Sequence, residues 1–116
     1  MYRLAKENDS DLVMCSYLRK NQGSDIEIRA NIENKYITYD RKYIEEKIIP
    51  TFVKNTEYGY YYVWNKIYKK KFLDDNNILF KEKIAFGEDW LFNLEVFDKI
   101  NIFSYINEPY YNYFDN

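Results

Sequence analysis

The spacing of apolar positions changes several times along the N-terminal third of the chain, and each spacing predicts a different element. Met1 to Glu7 has helical spacing and predicts a short helix. The apolar run from Asp11 to Tyr17 predicts a buried strand, and strict alternation from Asp25 to Arg29 predicts a half-exposed strand. Asn21 to Ser24 has the composition of a turn between them. The expected order is therefore helix, strand, turn, strand.

The rest of the chain predicts helices that alternate with further strands. Asp40 is placed to cap a helix that Pro50 should end near Ile49. A short helix is predicted from Lys71 to Asn76 and a longer one after Gly87, whereas the aromatic stretch from Tyr60 to Tyr68 fits either strand or helix. Two last strands are predicted on either side of a turn: Ile100 to Ile106, the turn Asn107-Glu108-Pro109, and Tyr110 to Phe114. This pattern predicts an α+β chain with a mixed sheet.

Composition excludes several classes of chemistry. The 116 residues are enough for one domain, and the chain has no histidine, which excludes Ser-His-Asp, Cys-His and histidine-ligated metal sites. Its one cysteine, Cys15, cannot form an internal disulfide and is expected to be a buried core thiol. The three glycines lie too far apart for a phosphate-binding or dinucleotide-binding loop. Carboxylates, amides, lysines and hydroxyls remain as candidate functional groups.

Charge and hydropathy narrow the expected partners and location. A net charge of −2 argues against a dedicated nucleic-acid-binding protein. The longest apolar run, Tyr60 to Trp64, is far shorter than the roughly 20 residues that a membrane-spanning helix needs. The first residues lack the apolar region of a secretory signal. The sequence therefore predicts a cytoplasmic protein.

Two adjacent carboxylates, Glu88 and Asp89, follow Gly87 at the start of a predicted helix. The free amides and the dipole of a helix N-terminus favour negative charge, so at least one of the two should stay ionised near neutral pH. An ionised carboxylate at a loop-to-helix junction suits general-base catalysis. The alternative is that Asp89 only caps the helix.

Five segments in the second half of the chain, taken in order and with their spacing, resemble one enzyme family. They are Trp64-Asn65-Lys66-Ile67-Tyr68, Phe72-Leu73, Phe80, Gly87-Glu88-Asp89-Trp90-Leu91-Phe92 and Pro109-Tyr110-Tyr111-Asn112-Tyr113. This series resembles the C-terminal half of family 2 glycosyltransferases, which are bacterial enzymes of the GT-A fold that assemble cell-surface polysaccharides. Ala5 to Val13 is similar to the helix and strand that follow the metal-binding motif of that family. The resemblance implies an α/β fold, namely the C-terminal part of a GT-A-type mixed sheet flanked by helices.

The resemblance also implies roles for individual residues. Asp89 would be the general base that takes the proton of the acceptor hydroxyl during inverting, hexosyl-type transfer, and Glu88 would orient Asp89 or bind the acceptor. Trp64 would stack on an acceptor ring, although a place in the core is the alternative. Asn65 and Lys66 would reach sugar hydroxyls or a phosphate, with a structural role as the alternative.

The donor side of such an enzyme is not expected within this chain. In the family, an N-terminal half that closes with an Asp-x-Asp motif holds the nucleotide-sugar through Mg²⁺ or Mn²⁺. Asp9-Ser10-Asp11 fits that pattern but precedes a strand instead of following one, so it is expected to be a turn, and no metal site is expected here. Residues 1–116 are thus expected to be a single acceptor-side domain that lacks the nucleotide-binding half and is inactive alone.

The expected partners follow from the same resemblance. The complete enzyme would use a nucleotide-sugar donor and a saccharide or lipid-linked acceptor, in the cytoplasm or peripherally at the inner face of the membrane. Apolar surface left by the missing half would lead the isolated chain to self-associate. The alternative function is a non-catalytic carbohydrate-binding or protein-binding remnant of the fold.

Overall fold

The computed structural model describes residues 1–30, 33–54, 59–79 and 87–114. The elements follow the predicted order with two differences: the strand Tyr36–Tyr39 was not predicted, and one strand takes the place of the last two. They are α1 (Tyr2–Asn8), β1 (Leu12–Asn21), β2 (Ser24–Ile28), β3 (Tyr36–Tyr39), α2 (Arg41–Tyr43), a π-helical segment (Ile44–Ile48), α3 (Thr51–Lys54), β4 (Lys66–Tyr68), α4 (Lys70–Asp75), α5 (Glu88–Lys99) and β5 (Phe103–Phe114).

The strands form one mixed sheet. Its order is β2-β1-β5-β3, and β4 pairs with β1 as well. β1 and β5 run parallel, whereas the pairings of β1 with β2, β1 with β4 and β3 with β5 are antiparallel. The prediction of a mixed α/β fold is confirmed.

Several local predictions are confirmed by the element boundaries. The Asp40 carboxylate accepts a hydrogen bond of 3.0 Å from the backbone N–H of Tyr43, and so caps the helix as expected. Pro50, which has no N–H to donate, lies between the π-helical segment and α3 and interrupts the helix. The ambiguous stretch from Tyr60 to Tyr68 becomes a series of turns followed by the short strand β4.

The prediction of two C-terminal strands separated by a turn is wrong. β5 runs without a break from Phe103 to Phe114, and the residues expected to form a turn lie at a bulge. Cys15 of β1 pairs with Ile106, but the next residue, Ser16, pairs with Pro109. A bulge accepts the same residue types as a turn, including a proline that donates nothing to the ladder. Local composition alone therefore does not distinguish the two.

The apolar core lies where α5 and the π-helical segment pack against β1 and β5. The buried side chains of α5 are Phe92, Asn93, Val96 and Phe97. Trp90 lies at the margin of this core with 37% of its surface exposed, and its Nε1 donates to the carbonyl of Phe52 at 3.1 Å. None of the helices in the described part of the chain could cross a membrane, because the longest has 12 residues.

The Arg41 side chain caps the C-terminal end of α5. Its Nη1 donates to the carbonyls of Phe97 and Ile100 at 2.7 and 2.8 Å, and the last carbonyls of a helix have no partner within the helix. Arg41→Met should therefore lower the free energy of unfolding by about 1–3 kcal/mol. Arg29→Met, which removes an exposed pair with Glu27, is the control and should be nearly neutral. Equal midpoints for both variants in urea denaturation would contradict this role.

Candidate active site

Glu88 and Asp89 are the first two residues of α5. The N-cap position before them is held by Gly87, whose φ of 77° is in the left-handed region that favours glycine, and whose carbonyl accepts from the N–H of Leu91 at 2.9 Å. Asp89 is therefore inside the helix, and the alternative that it is the N-cap is wrong. Glu88 is exposed and Asp89 is half-buried.

The environment of Asp89 makes its carboxylate more basic than usual. Partial burial raises its pKa, the neighbouring charge of Glu88 raises it further, and the charge of Lys66 opposes both effects. A carboxylate with a raised pKa is a better proton acceptor once it is ionised. This combination of burial and a charged neighbour is typical of catalytic carboxylates.

Glu88→Gln should lower the pKa of Asp89, because it removes a like charge and leaves the burial unchanged. Glu7→Gln removes the same kind of charge from the exposed face of α1 and should leave the pKa of Asp89 unchanged. Because the pKa of Asp89 is raised in the folded protein, its contribution to stability is fully present below its unfolded pKa and is lost as pH rises through its folded pKa. Glu88→Gln should reduce that loss. Titration of the Asp89 carboxyl carbon by NMR checks the shift, and an unchanged or higher pKa would contradict it.

Asn65 and Lys66 lie beneath residues 59–64, here called the aromatic loop, with 1% and 8% of their surfaces exposed. The Asn65 Nδ2 donates to the carbonyls of Gly59 and Cys15 at 3.3 and 3.4 Å. The Lys66 Nζ donates to the Gly59 carbonyl at 2.6 Å, to the Asn65 Oδ1 at 3.0 Å and to the Tyr62 carbonyl. Burial lowers the pKa of Lys66 well below its ordinary value. These contacts favour support of the loop, and direct contact with an acceptor stays a prediction.

Trp64, at the end of the aromatic loop, is stacked among tyrosines. Its ring centroid lies 4.7 Å from that of Tyr62, 4.5 Å from that of Tyr111 and 5.4 Å from that of Tyr113, and the ring of Tyr17 meets it edge-on. Tyr111 and Tyr113 of β5 are 38% and 40% exposed, so this aromatic cluster reaches the surface through them. Stacking of Trp64 on an acceptor ring stays a prediction.

Asn93 is a residue that the sequence analysis missed. It is fully buried on α5, four residues after Asp89. Its Nδ2 donates to the carbonyls of Tyr61 and Asp89, both at 3.0 Å, and its Oδ1 accepts from the hydroxyl of Tyr68 at 2.5 Å. The available signal was an amide in the middle of the apolar face of a helix, because such a side chain needs partners when it is buried.

Asp9, Ser10 and Asp11 form the expected turn at the end of α1. The Asp9 Oδ1 accepts from Lys69 Nζ at 2.7 Å, and the Asp11 Oδ2 accepts from the N–H groups of Asn101 and Ile102. In the part of the chain that the structure describes, no group of three or more carboxylate or thiol side chains is arranged to hold a metal ion. The Asp9 and Asp11 carboxylates are thus already engaged by Lys69 and by backbone N–H groups, and binding of Mg²⁺ or Mn²⁺ by the complete enzyme stays a prediction.

Cys15 is buried in β1, as expected for a core thiol. Burial raises the pKa of this thiol, so it stays protonated at neutral pH.

Comparison with known proteins supports the resemblance. No protein-family profile matches the chain. The chain is 26% identical over 118 aligned residues to the uncharacterized glycosyltransferase EpsJ of Bacillus subtilis (strain 168), which covers 97% of this chain and 31% of EpsJ. The chain also matches the crystal structure of S. aureus TarS 1–349 with a TM-score of 0.60 at 23% identity, over 97% of this chain and 30% of that one.

Two conclusions follow from these matches. The resemblance to glycosyltransferases is confirmed, and the fold matches part of the solved TarS structure. The chain spans less than a third of the length of either relative.

Proposed function

We propose that this chain is the acceptor-side part of a nucleotide-sugar-dependent, inverting glycosyltransferase that acts in cell-surface polysaccharide synthesis. The observation that carries the proposal is Asp89, a half-buried carboxylate of raised pKa in the first turn of α5, connected through Asn93 to the aromatic loop. The sequence similarity to the glycosyltransferase EpsJ supports the same reaction class.

In the proposed reaction, Asp89 accepts the proton of an acceptor hydroxyl. The freed oxygen attacks the anomeric carbon of the donor sugar, and the bond from that carbon to the nucleoside diphosphate breaks on the opposite face with its electron pair. One inverted glycosidic bond forms, and the proton stays on Asp89 until solvent removes it. Glu88 orients Asp89 or contacts the acceptor. Nucleotide-sugar and metal binding are proposed to lie outside the described residues.

A non-catalytic carbohydrate-binding module is a second candidate, favoured by the partly exposed Tyr111 and Tyr113 of the aromatic cluster. Aromatic faces that reach the surface bind sugar rings without any need for a base. The two candidates differ in what Asp89 does. A module that only binds would keep its saccharide affinity when Asp89 is replaced and would never transfer sugar.

The test is transfer of a labelled sugar from UDP-sugars and other nucleotide-sugars by the complete enzyme, in which residues 1–116 are joined to a nucleotide-binding half. Residues 1–116 alone are the control, since they should neither transfer sugar nor bind the donor tightly with Mn²⁺. Product of inverted anomeric configuration, identified by NMR, is the expected result. Product of retained configuration would contradict the mechanism, and micromolar metal-dependent donor binding by residues 1–116 would contradict the location of the donor site.

A further inference from the structure

We infer that Asn93 is a positioning residue, which fixes the first turn of α5, and with it Asp89, against the aromatic loop. Its amide joins three separate parts of the chain: the aromatic loop through Tyr61, the start of α5 through Asp89, and β4 through Tyr68. This role rests on the proposed function, because it requires Asp89 to be the base, whereas the hydrogen bonds themselves do not depend on that function.

The orientation of the Asn93 amide is fixed by the chemistry of its partners. Burial raises the pKa of the Tyr68 phenol far above its ordinary value, so the hydroxyl is protonated and donates to the Asn93 Oδ1. The backbone carbonyls of Tyr61 and Asp89 are acceptors only, so the Nδ2 must face them. A flipped amide would place its oxygen against two carbonyl oxygens, neither of which can donate. One arrangement of the amide is therefore consistent with all three contacts.

The Asn93 Nδ2 makes two hydrogen bonds, and each has a different structural effect. The bond to the Asp89 carbonyl reaches back four residues along the same helix, and Asn76, the residue after α4, makes a similar bond to the carbonyl of Phe72. The bond to the Tyr61 carbonyl is the one that connects the helix to the aromatic loop. Because Asn93 is fully buried, water is not at hand to replace a lost partner.

The effect on the proposed reaction follows from where the acceptor would sit. The acceptor hydroxyl has to lie within hydrogen-bond distance of the Asp89 carboxylate, and a misplacement of about 1 Å can lower a rate by about 10²-fold. The aromatic loop contains Trp64, the predicted contact for the acceptor ring. A bond between that loop and the turn that carries Asp89 sets the distance between the ring site and the base.

The first measurement uses residues 1–116 and needs no enzyme activity. Asn93→Leu keeps the approximate size of the side chain and removes all three hydrogen bonds, whereas Asn76→Leu removes a bond to the carbonyl four residues back without touching the loop. In Asn93→Leu, the amides of residues 59–64 should exchange with deuterium at least tenfold faster, and the pKa of Asp89 should move as its surroundings open. Neither change should occur in Asn76→Leu. If amide exchange in the loop is the same in both folded variants, the inference is overturned.

The second measurement uses the complete enzyme. Asn93→Leu should lower kcat about 10²-fold with little change in the donor KM, because the proposed donor site lies outside the described residues. If Asn93→Leu does not fold, Tyr68→Phe removes only the bond to the Oδ1, and a kcat loss with an unchanged donor KM is expected there too. A wild-type kcat in a folded variant would overturn the inference. A wild-type enzyme that transfers no sugar would instead count against the proposed function. Deuterium exchange of the loop amides in residues 1–116 would still test whether Asn93 fixes the aromatic loop.

Discussion

Asp89→Asn should lower sugar transfer by the complete enzyme about 10²–10⁴-fold, which is the usual contribution of a general base. The amide of asparagine keeps the shape of the side chain but has no basic oxygen to take the acceptor proton. Donor binding should stay almost unchanged, because the proposed donor site lies outside the described residues. Transfer rates and donor affinity by calorimetry, measured on the same preparation, check both parts of the result.

Asp98→Asn is the matched control for this substitution. Asp98 is an exposed carboxylate near the other end of α5, so the same change in charge there should leave transfer within twofold of wild type. Equal loss of transfer and donor binding in Asp89→Asn would show that Asp89 is structural. Full activity in that variant would show that another group is the base.

The stability of Asp89→Asn separates a catalytic role from a structural one in a second way. Burial and the charge of Glu88 disfavour the ionised form of Asp89, so the folded protein is less stable with this carboxylate charged. A neutral asparagine removes that cost, and the variant should be at least as stable as wild type at pH 7. A residue that destabilises the fold and is nevertheless needed for transfer fits a functional role.

The sequence predicted those elements whose causes are local. The cap at Asp40 and the interruption at Pro50 each depend on the chemistry of one side chain and its nearest backbone, so composition and spacing were enough. The bulge at Ser16 and Pro109 depends instead on how β1 and β5 pair across the sheet. Pairing between strands that lie far apart in sequence leaves no local signal.

The candidate site was predictable to a similar degree. The resemblance located Glu88 and Asp89 at the start of a helix, and the structure places them there. The role of Asn93 was not predicted, because it contacts residues 25 and 32 positions away. A structural role was the alternative for Asn65, but its partners could not be named, because one of them lies 50 positions away. The role of a buried amide can be assigned only when its hydrogen-bond partners are known.

Gly59→Ala should lower the free energy of unfolding by about 2–5 kcal/mol, the sum of backbone strain of about 1–2 kcal/mol and overpacking of about 1–3 kcal/mol. Gly59 has a φ of 91°, and a Cβ there would lie 2.6 Å from the Asn65 Nδ2 and 3.2 Å from the Tyr17 Cε1. The Asn65 amide cannot move away cheaply, because it is 1% exposed and hydrogen-bonded to the Gly59 and Cys15 carbonyls.

Gly23→Ala separates the two contributions. Gly23 has a similar φ of 83°, but a Cβ there would have nothing within 4 Å, so only the strain of about 1–2 kcal/mol should appear. The double variant Gly59→Ala/Asn65→Ala removes the clashing amide, and its loss of stability should be smaller than the sum of the two single losses. Urea denaturation of Gly59→Ala, Gly23→Ala, Asn65→Ala and the double variant gives the comparison. Equal losses for Gly59→Ala and Gly23→Ala, or strict additivity in the double variant, would mean that Asn65 does not fix the aromatic loop against Gly59.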